Sequence, residues 1–303
     1  MQHRYGFLCL AVVALFCLTC ASRADGPCSS SILFSKGKRS ERLSRVRRNG
    51  EKVFLSVRVR GKNDKLRFLF DTGAGRTVLD RGVAARLGLR PTVKSSLGGV
   101  GAGRVPVDVV QGASLLIGDV RLDGVDLYVI DTPATEHVDG IIGYDLLCAS
   151  VVTLDYQKPS IVITAPSAFQ YHGSGDTLPL QIRGRWPFVR GTLKVPGVDP
   201  VTDDFLLDTG SDDAVNHPVI RQAKGPLRET NTGSGGFGKS LPGVIGPNEW
   251  FRIGSTTIPA TVSACCAASE DVSRQLGSGI LSHFRITFDY PGHRIILEKY
   301  QDR

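Results

Sequence analysis

Residues 65–80 read KLRFLFDTGAGRTVLD, and residues 203–217 read DDFLLDTGSDDAVNH. In both, an apolar run (Leu66 to Phe70, then Phe205 to Leu207) leads straight into Asp-Thr-Gly. A second matched pair lies downstream, DGIIGYDLLCASVVTLDYQKPSIVI at 139–163 and GSGILSHFRITFDYPGHRIIL at 277–297. Asp71 and Asp208 are 137 residues apart, Ile141 and Ile280 139, Tyr156 and Tyr290 134. Three landmarks in one order at nearly one offset mark two homologous halves rather than a chance tripeptide.

Working outward, each half reads as β-rich. Val53, Leu55, Val57 and Val59 alternate with Phe54, Ser56, Arg58 and Arg60, the period of two expected of a strand with one face inward. A turn at 61–64 and the strand Leu66 to Phe70 follow. Asp80 to Leu87 then predicts a short helix stopped by Gly88. The second half repeats the order, with strands over Phe188–Val195 and Phe205–Leu207 and a helical turn after His217-Pro218. The Gly-, Ser- and Pro-containing stretch 165–178 reads as the junction, which divides the chain into lobes 51–170 and 171–303. Residues 25–50, basic and without apolar periodicity, predict no regular structure.

The repeated hydrophobic-hydrophobic-Asp-Thr-Gly, followed about 70 residues later by hydrophobic-hydrophobic-Gly, resembles the pepsin and retroviral aspartic protease clan, in a bacterial-type exported form. DTGAGRTVLD is similar to the retroviral motif and DGIIGYDLL to its downstream glycine loop. The resemblance spans roughly residues 51 to 300. It implies an all-β fold of two homologous β-barrel-like lobes with a cleft between them. It also implies that Asp71 and Asp208 are the catalytic pair, that Thr72 and Thr209 cross-link their loops, and that Gly73 and Gly210 let backbone N–H groups reach the carboxylates. Ser211, where the first half has Ala74, is expected to place a hydroxyl on Asp208, and Gly143 to pack closely behind the first active loop.

Two carboxylates close together cannot both ionise cheaply, so they share a proton. One then serves as general base on a water and the other as acid toward the scissile carbonyl. Such a site needs neither cofactor nor metal. A divalent-metal site at Asp208, Asp212 and Asp213 is the lesser alternative. The glycine-rich stretches 98–103 and 233–238 lack the Gly-Lys-Ser/Thr of a phosphate loop, and the first falls where the clan places a flap over substrate. Two departures stand out. The second glycine loop aligns as Ile280-Leu281-Ser282, and the second half comes out about five residues short between that loop and Tyr290. Both favour a second reading, a catalytically silent relative that binds peptide or protein in its cleft.

The net charge of +8 is concentrated at one end. Residues 36–48 hold seven Lys or Arg against one Glu, and everything from Asn49 on nets only +1. A nearly neutral body argues against nucleic acid as a partner, and the resemblance implies a peptide or protein substrate. The basic segment is either a solvated tail or a propeptide drawn to the acidic cleft. Residues 1–24, with Arg4 ahead of an apolar run to Cys20 and small residues at Ser22 and Ala24, predict a signal peptide, hence a periplasmic or secreted protein with no membrane span after its removal. A lipid anchor on Cys20 is the alternative. Cys9, Cys17 and Cys20 leave with that segment. Cys28, Cys148, Cys265 and Cys266 remain, and sequence does not rank their pairings. The expected assembly is a monomer, with pairing of two first lobes in a homodimer as the alternative.

Overall fold

The apolar run Leu66–Phe70 is a strand whose Leu66, Phe68 and Phe70 are buried, and it pairs with the alternating strand Lys52–Val59 (Phe54 opposite Leu69, Val57 opposite Leu66). The second half builds the same pair from Trp186–Lys194 and Val201–Leu207. The computed structural model describes residues 28–44, 47–49, 51–98, 103–132, 138–232, 241–259, 261–265 and 273–301. The expected signal peptide, most of both glycine-rich stretches and Cys266 lie outside the described residues.

The protein is all-β, and its described residues form a nine-stranded sheet in the first lobe, a ten-stranded sheet in the second and a six-stranded sheet joining them. Each lobe closes through the same crossing. In the first, Gly140–Ile142 lies parallel to Leu66–Phe70 and antiparallel to Thr77–Asp80, which itself runs parallel to Val120–Ile130. In the second, Gln275–Leu276 lies parallel to Val201–Leu207 and antiparallel to Val215–Asn216, which runs parallel to Val262–Cys265.

The joining sheet displays the repeat most directly. Its centre is Val151–Asp155 against Phe284–Asp289, antiparallel, with Thr153 opposite Thr287. These threonines are equivalent at an offset of 134, so a pseudo-twofold axis passes between them, and their hydroxyls meet at 2.8 Å. The following turns repeat too: Asp155 accepts from Lys158 N, and Asp289 from Gly292 N, both at 2.9 Å. Phe70, Phe205, Phe251, Phe284 and Phe288 are wholly buried in a core that runs through both lobes and the joining sheet. Each such ring contributes roughly 1.5–3 kcal/mol by leaving water.

Residues 25–50 depart from the sequence reading, which assigned them no regular structure. Ser31–Phe34 pairs with Val120–Ile130, and Ser40–Ser44 forms one edge of the joining sheet against Ser160–Thr164. Asp176–Pro179 forms the opposite edge in the same way. SERLS has a single apolar residue, Leu43, which packs against the core, too little to read as an alternation. Cys28 is tied to Cys148 by a disulfide with a Cα–Cα separation of 5.6 Å, which resolves one of the pairings left open by sequence. Among the described residues no helix is long and apolar enough to cross a membrane.

Candidate active site

Asp71 and Asp208 each follow the last residue of a buried strand, and a neighbouring strand end holds each in place. Asp71 N donates to Ile142 O and Asp208 N to Leu276 O, both at 2.9 Å. The two threonines interlock between lobes. Thr72 N donates to Thr209 Oγ1 and Thr209 N to Thr72 Oγ1, each at 3.1 Å. Thr72 Oγ1 donates to Leu207 O at 2.7 Å, and Thr209 Oγ1 to Phe70 O at 2.9 Å. All four bonds cross the pseudodyad and both side chains are buried.

This lock brings the carboxyls face to face. A Cβ at Gly73 would sit 2.7 Å from Asp208 Cγ, and one at Gly210 2.5 Å from Asp71 Cγ, so only glycine leaves room. The carboxyls also hydrogen-bond each other. Both keep some exposed surface but are packed round by protein. Burial, reinforced by the facing Asp208 carboxylate, pushes Asp71 well above the ordinary carboxylate range. Burial raises Asp208 as well, but hydrogen bonds from Asp71, Gly210 N–H, Ser211 N–H and the Gln275 amide hold it down. Both carboxyls are thus raised and share a proton, and the donors gathered on Asp208 favour its charged form.

Ser211 reaches Asp208, but not through its hydroxyl. Ser211 reaches Asp208 Oδ1 through its backbone N–H at 3.1 Å, whereas its hydroxyl accepts from Asp213 N at 3.2 Å. The glycine loop requires a larger correction. Sheet register sets Leu276 against Leu207 as Ile142 is set against Phe70, so Gly143 is matched by Gly277 and not by Ser282. Tyr144 N donates to Ala74 O at 3.0 Å and Ser278 N to Ser211 O at 2.8 Å, the same bond in each lobe. A Cβ at Gly143 would lie 2.0 Å from Asp71 O, and one at Gly277 2.1 Å from Asp213 O. Ser282 instead matches Cys148, and the second half is not short: Gly143 to Tyr156 and Gly277 to Tyr290 are equal intervals.

The flanks of the site break the symmetry. Lys52 lies close enough to lower Asp71, the weakest of the influences on it, and pairs with Asp212 at 3.3 Å. At the equivalent place in the other lobe, Trp186 and Arg185 lie over Gly75, and Arg185 reaches Asp145 at 3.2 Å. Asp212 is thus an ion-pair partner, and Asp213 accepts from Asn216 at 3.0 Å. Val93–Gly98 and Arg104–Ile117 form a hairpin whose tip falls outside the described residues, as do Arg228–Thr232 and Leu241–Pro247 in the second lobe.

Residues 55–146, which hold Asp71, Gly143 and the first hairpin, match a family model described as aspartyl protease. That segment is similar to an aspartyl protease domain. No curated protein matches the chain. The aspartyl protease match falls within the first lobe, and the second lobe repeats that lobe's strand order, crossing and loop glycine. Sequence reading missed Gln275, Gly277 and Lys52. Placing the repeat at the Tyr156–Tyr290 offset would have found Gly277 and, two residues before it, Gln275.

Proposed function

We propose that this protein is an exported aspartic endopeptidase in which Asp71 and Asp208 of one chain activate water between them. The observation that carries the reading is the reciprocal Thr72–Thr209 lock, which holds the two carboxyls in contact while Gly73 and Gly210 leave space for them. Asp208, the anion, takes a proton from a water as its oxygen attacks the scissile carbonyl carbon. The proton of Asp71 passes to the carbonyl oxygen and gives a neutral gem-diol. Asp208 then returns its proton to the amide nitrogen, Asp71 recovers one from a gem-diol hydroxyl, and the C–N bond breaks. With Gly277 in the place of Gly143, nothing in the loop geometry favours a silent binder.

Export is supported by the charged-then-apolar start of residues 1–24 and by the Cys28–Cys148 disulfide, a bond that persists in oxidising compartments. The test of the activity is cleavage of a random peptide pool by purified protein from pH 3 to 8, with and without a statine-type inhibitor. Inhibitor-sensitive cleavage that survives chelators is expected. Cleavage abolished by chelators would contradict the mechanism, and so would none at any pH.

A further inference from the structure

We propose that Gln275 is a positioning residue that decides which aspartate holds the shared proton, and that Asn216 and Asp213 hold Gln275 in place. This rests on the reading of Asp71 and Asp208 as the working pair. The Gln275 amide nitrogen donates to Asp208 Oδ2. Asn216 Nδ2 donates both to Gln275 Oε1 at 3.1 Å and to Asp213 Oδ2 at 3.0 Å. A carboxylate at each end orients the chain of amides: Asp213 accepts, so Asn216 presents its NH₂, so Gln275 presents its oxygen to Asn216 and its NH₂ to Asp208. Gln275 is buried, which restricts it to this arrangement.

The asymmetry this creates is visible in the donor count. Asp208 accepts from Gly210 N at 2.8 Å, Ser211 N at 3.1 Å and the Gln275 amide, whereas the bond from its own loop to Asp71 is Gly73 N at 2.8 Å. Register sets Gln275 opposite Leu206 and Ile141 opposite Leu69, so the first-lobe counterpart of Gln275 is an isoleucine, which has nothing to donate. Hydrogen bonds to the charged form favour it, and Oδ2 of Asp208 gains one that Ile141 cannot give Asp71.

Other charged groups surround this pair. Lys52, from the strand Lys52–Val59, acts on Asp71 and pairs with Asp212. Arg274, beside Gln275, pairs with Asp203 at 2.6 Å, and His217 Nε2 stands 3.6 Å from that carboxylate. Burial keeps His217 below its ordinary value. Tyr290, after Phe284–Asp289, is pushed well above its ordinary value by burial and stays neutral.

The test uses the full mature chain with Gln275→Met, which keeps the length and removes the donor, and Asn216→Ala, which removes only the group that orients it. The acid limb of kcat/KM is expected to move up by about one pH unit in Gln275→Met and by less in Asn216→Ala, with KM at the plateau nearly unchanged. The carboxyl carbons of ¹³C-aspartate-labelled protein without substrate, assigned through Asp71→Asn and Asp208→Asn, should show the first ionisation concentrated on Asp208 in the wild type and spread over both in Gln275→Met. A folded Gln275→Met with unchanged limb and titration overturns the proposal, as does an Asn216→Ala shift in the opposite direction. If the wild type neither cleaves peptide nor binds a statine-type inhibitor, the proteolytic reading fails, and the carboxyl titration still decides the role of Gln275.

Discussion

Replacing Thr72 by Val keeps the shape and removes two bonds between the lobes. The hydroxyl no longer donates to Leu207 O, and Thr209 N loses its acceptor. Both stranded groups lie beside a fully buried side chain, where an unpaired polar group costs about 1–3 kcal/mol, so the substitution should cost roughly 2–6 kcal/mol. Against the ~5–15 kcal/mol of a typical domain that is a large fraction. The pseudodyad adds a stricter requirement. Thr209→Val strands Phe70 O and Thr72 N in the same way, so the two variants should cost nearly the same. Thr72→Ser keeps the hydroxyl and should lose only about 1 kcal/mol for the missing methyl. Urea unfolding with unchanged slopes measures all three. The reasoning is refuted by a Thr72→Val protein within about 0.5 kcal/mol of wild type, or by one threonine proving costly and the other neutral.

Gly277→Ala should abolish activity and destabilise by more than about 2 kcal/mol, because its Cβ would meet Asp213 O at 2.1 Å and push the loop that carries Asp208. Ser282→Gly, at the position equivalent to Cys148, should leave kcat/KM within about twofold; higher activity there with a harmless Gly277→Ala would reverse the assignment of the loop glycine. Reducing the Cys28–Cys148 bond, which closes 120 residues, should lower stability by about 2–5 kcal/mol, read as a drop in Tm with reductant. Deleting residues 25–48 should likewise yield a less stable protein; an equally stable one that starts turnover faster would give the segment back the role of a removable inhibitor.

What was legible in sequence is what the fold repeats in strong chemistry. An apolar strand ending in Asp-Thr-Gly appears twice, and with it the strand pairs, the helix after Asp80 and the pairing of Asp71 with Asp208. The glycine loop was misaligned because Ile280-Leu281 imitates Ile141-Ile142, while the true counterpart, Gln275-Leu276, has one apolar residue exchanged for a polar one. That exchange is what gives Asp208 its extra donor, so the position hardest to recognise is the one that breaks the symmetry of the pair. Ser211 was expected to act through its hydroxyl, yet the backbone turns its N–H to the carboxylate, a choice of loop geometry that composition does not encode. The strands at Ser31–Phe34 and Ser40–Ser44 were hidden because each is short, pairs with a distant strand and sets only Ile32, Phe34 and Leu43 against the core.

The measurement closest to the central claim is turnover by Asp71→Asn and Asp208→Asn, each checked for folding by its unfolding curve. Both should lose at least about 10²–10⁴-fold in kcat/KM, since each removes one half of the acid–base pair. Asp71→Asn should also lose the pH-dependent part of stability that the dyad confers. A carboxyl held above its unfolded pKa stabilises the fold below that unfolded value, and this is lost as pH rises through the folded one. If Asp208→Asn keeps near-full activity while Asp71→Asn is dead, the second lobe is only a scaffold, and the active pair belongs to two first lobes meeting in a homodimer.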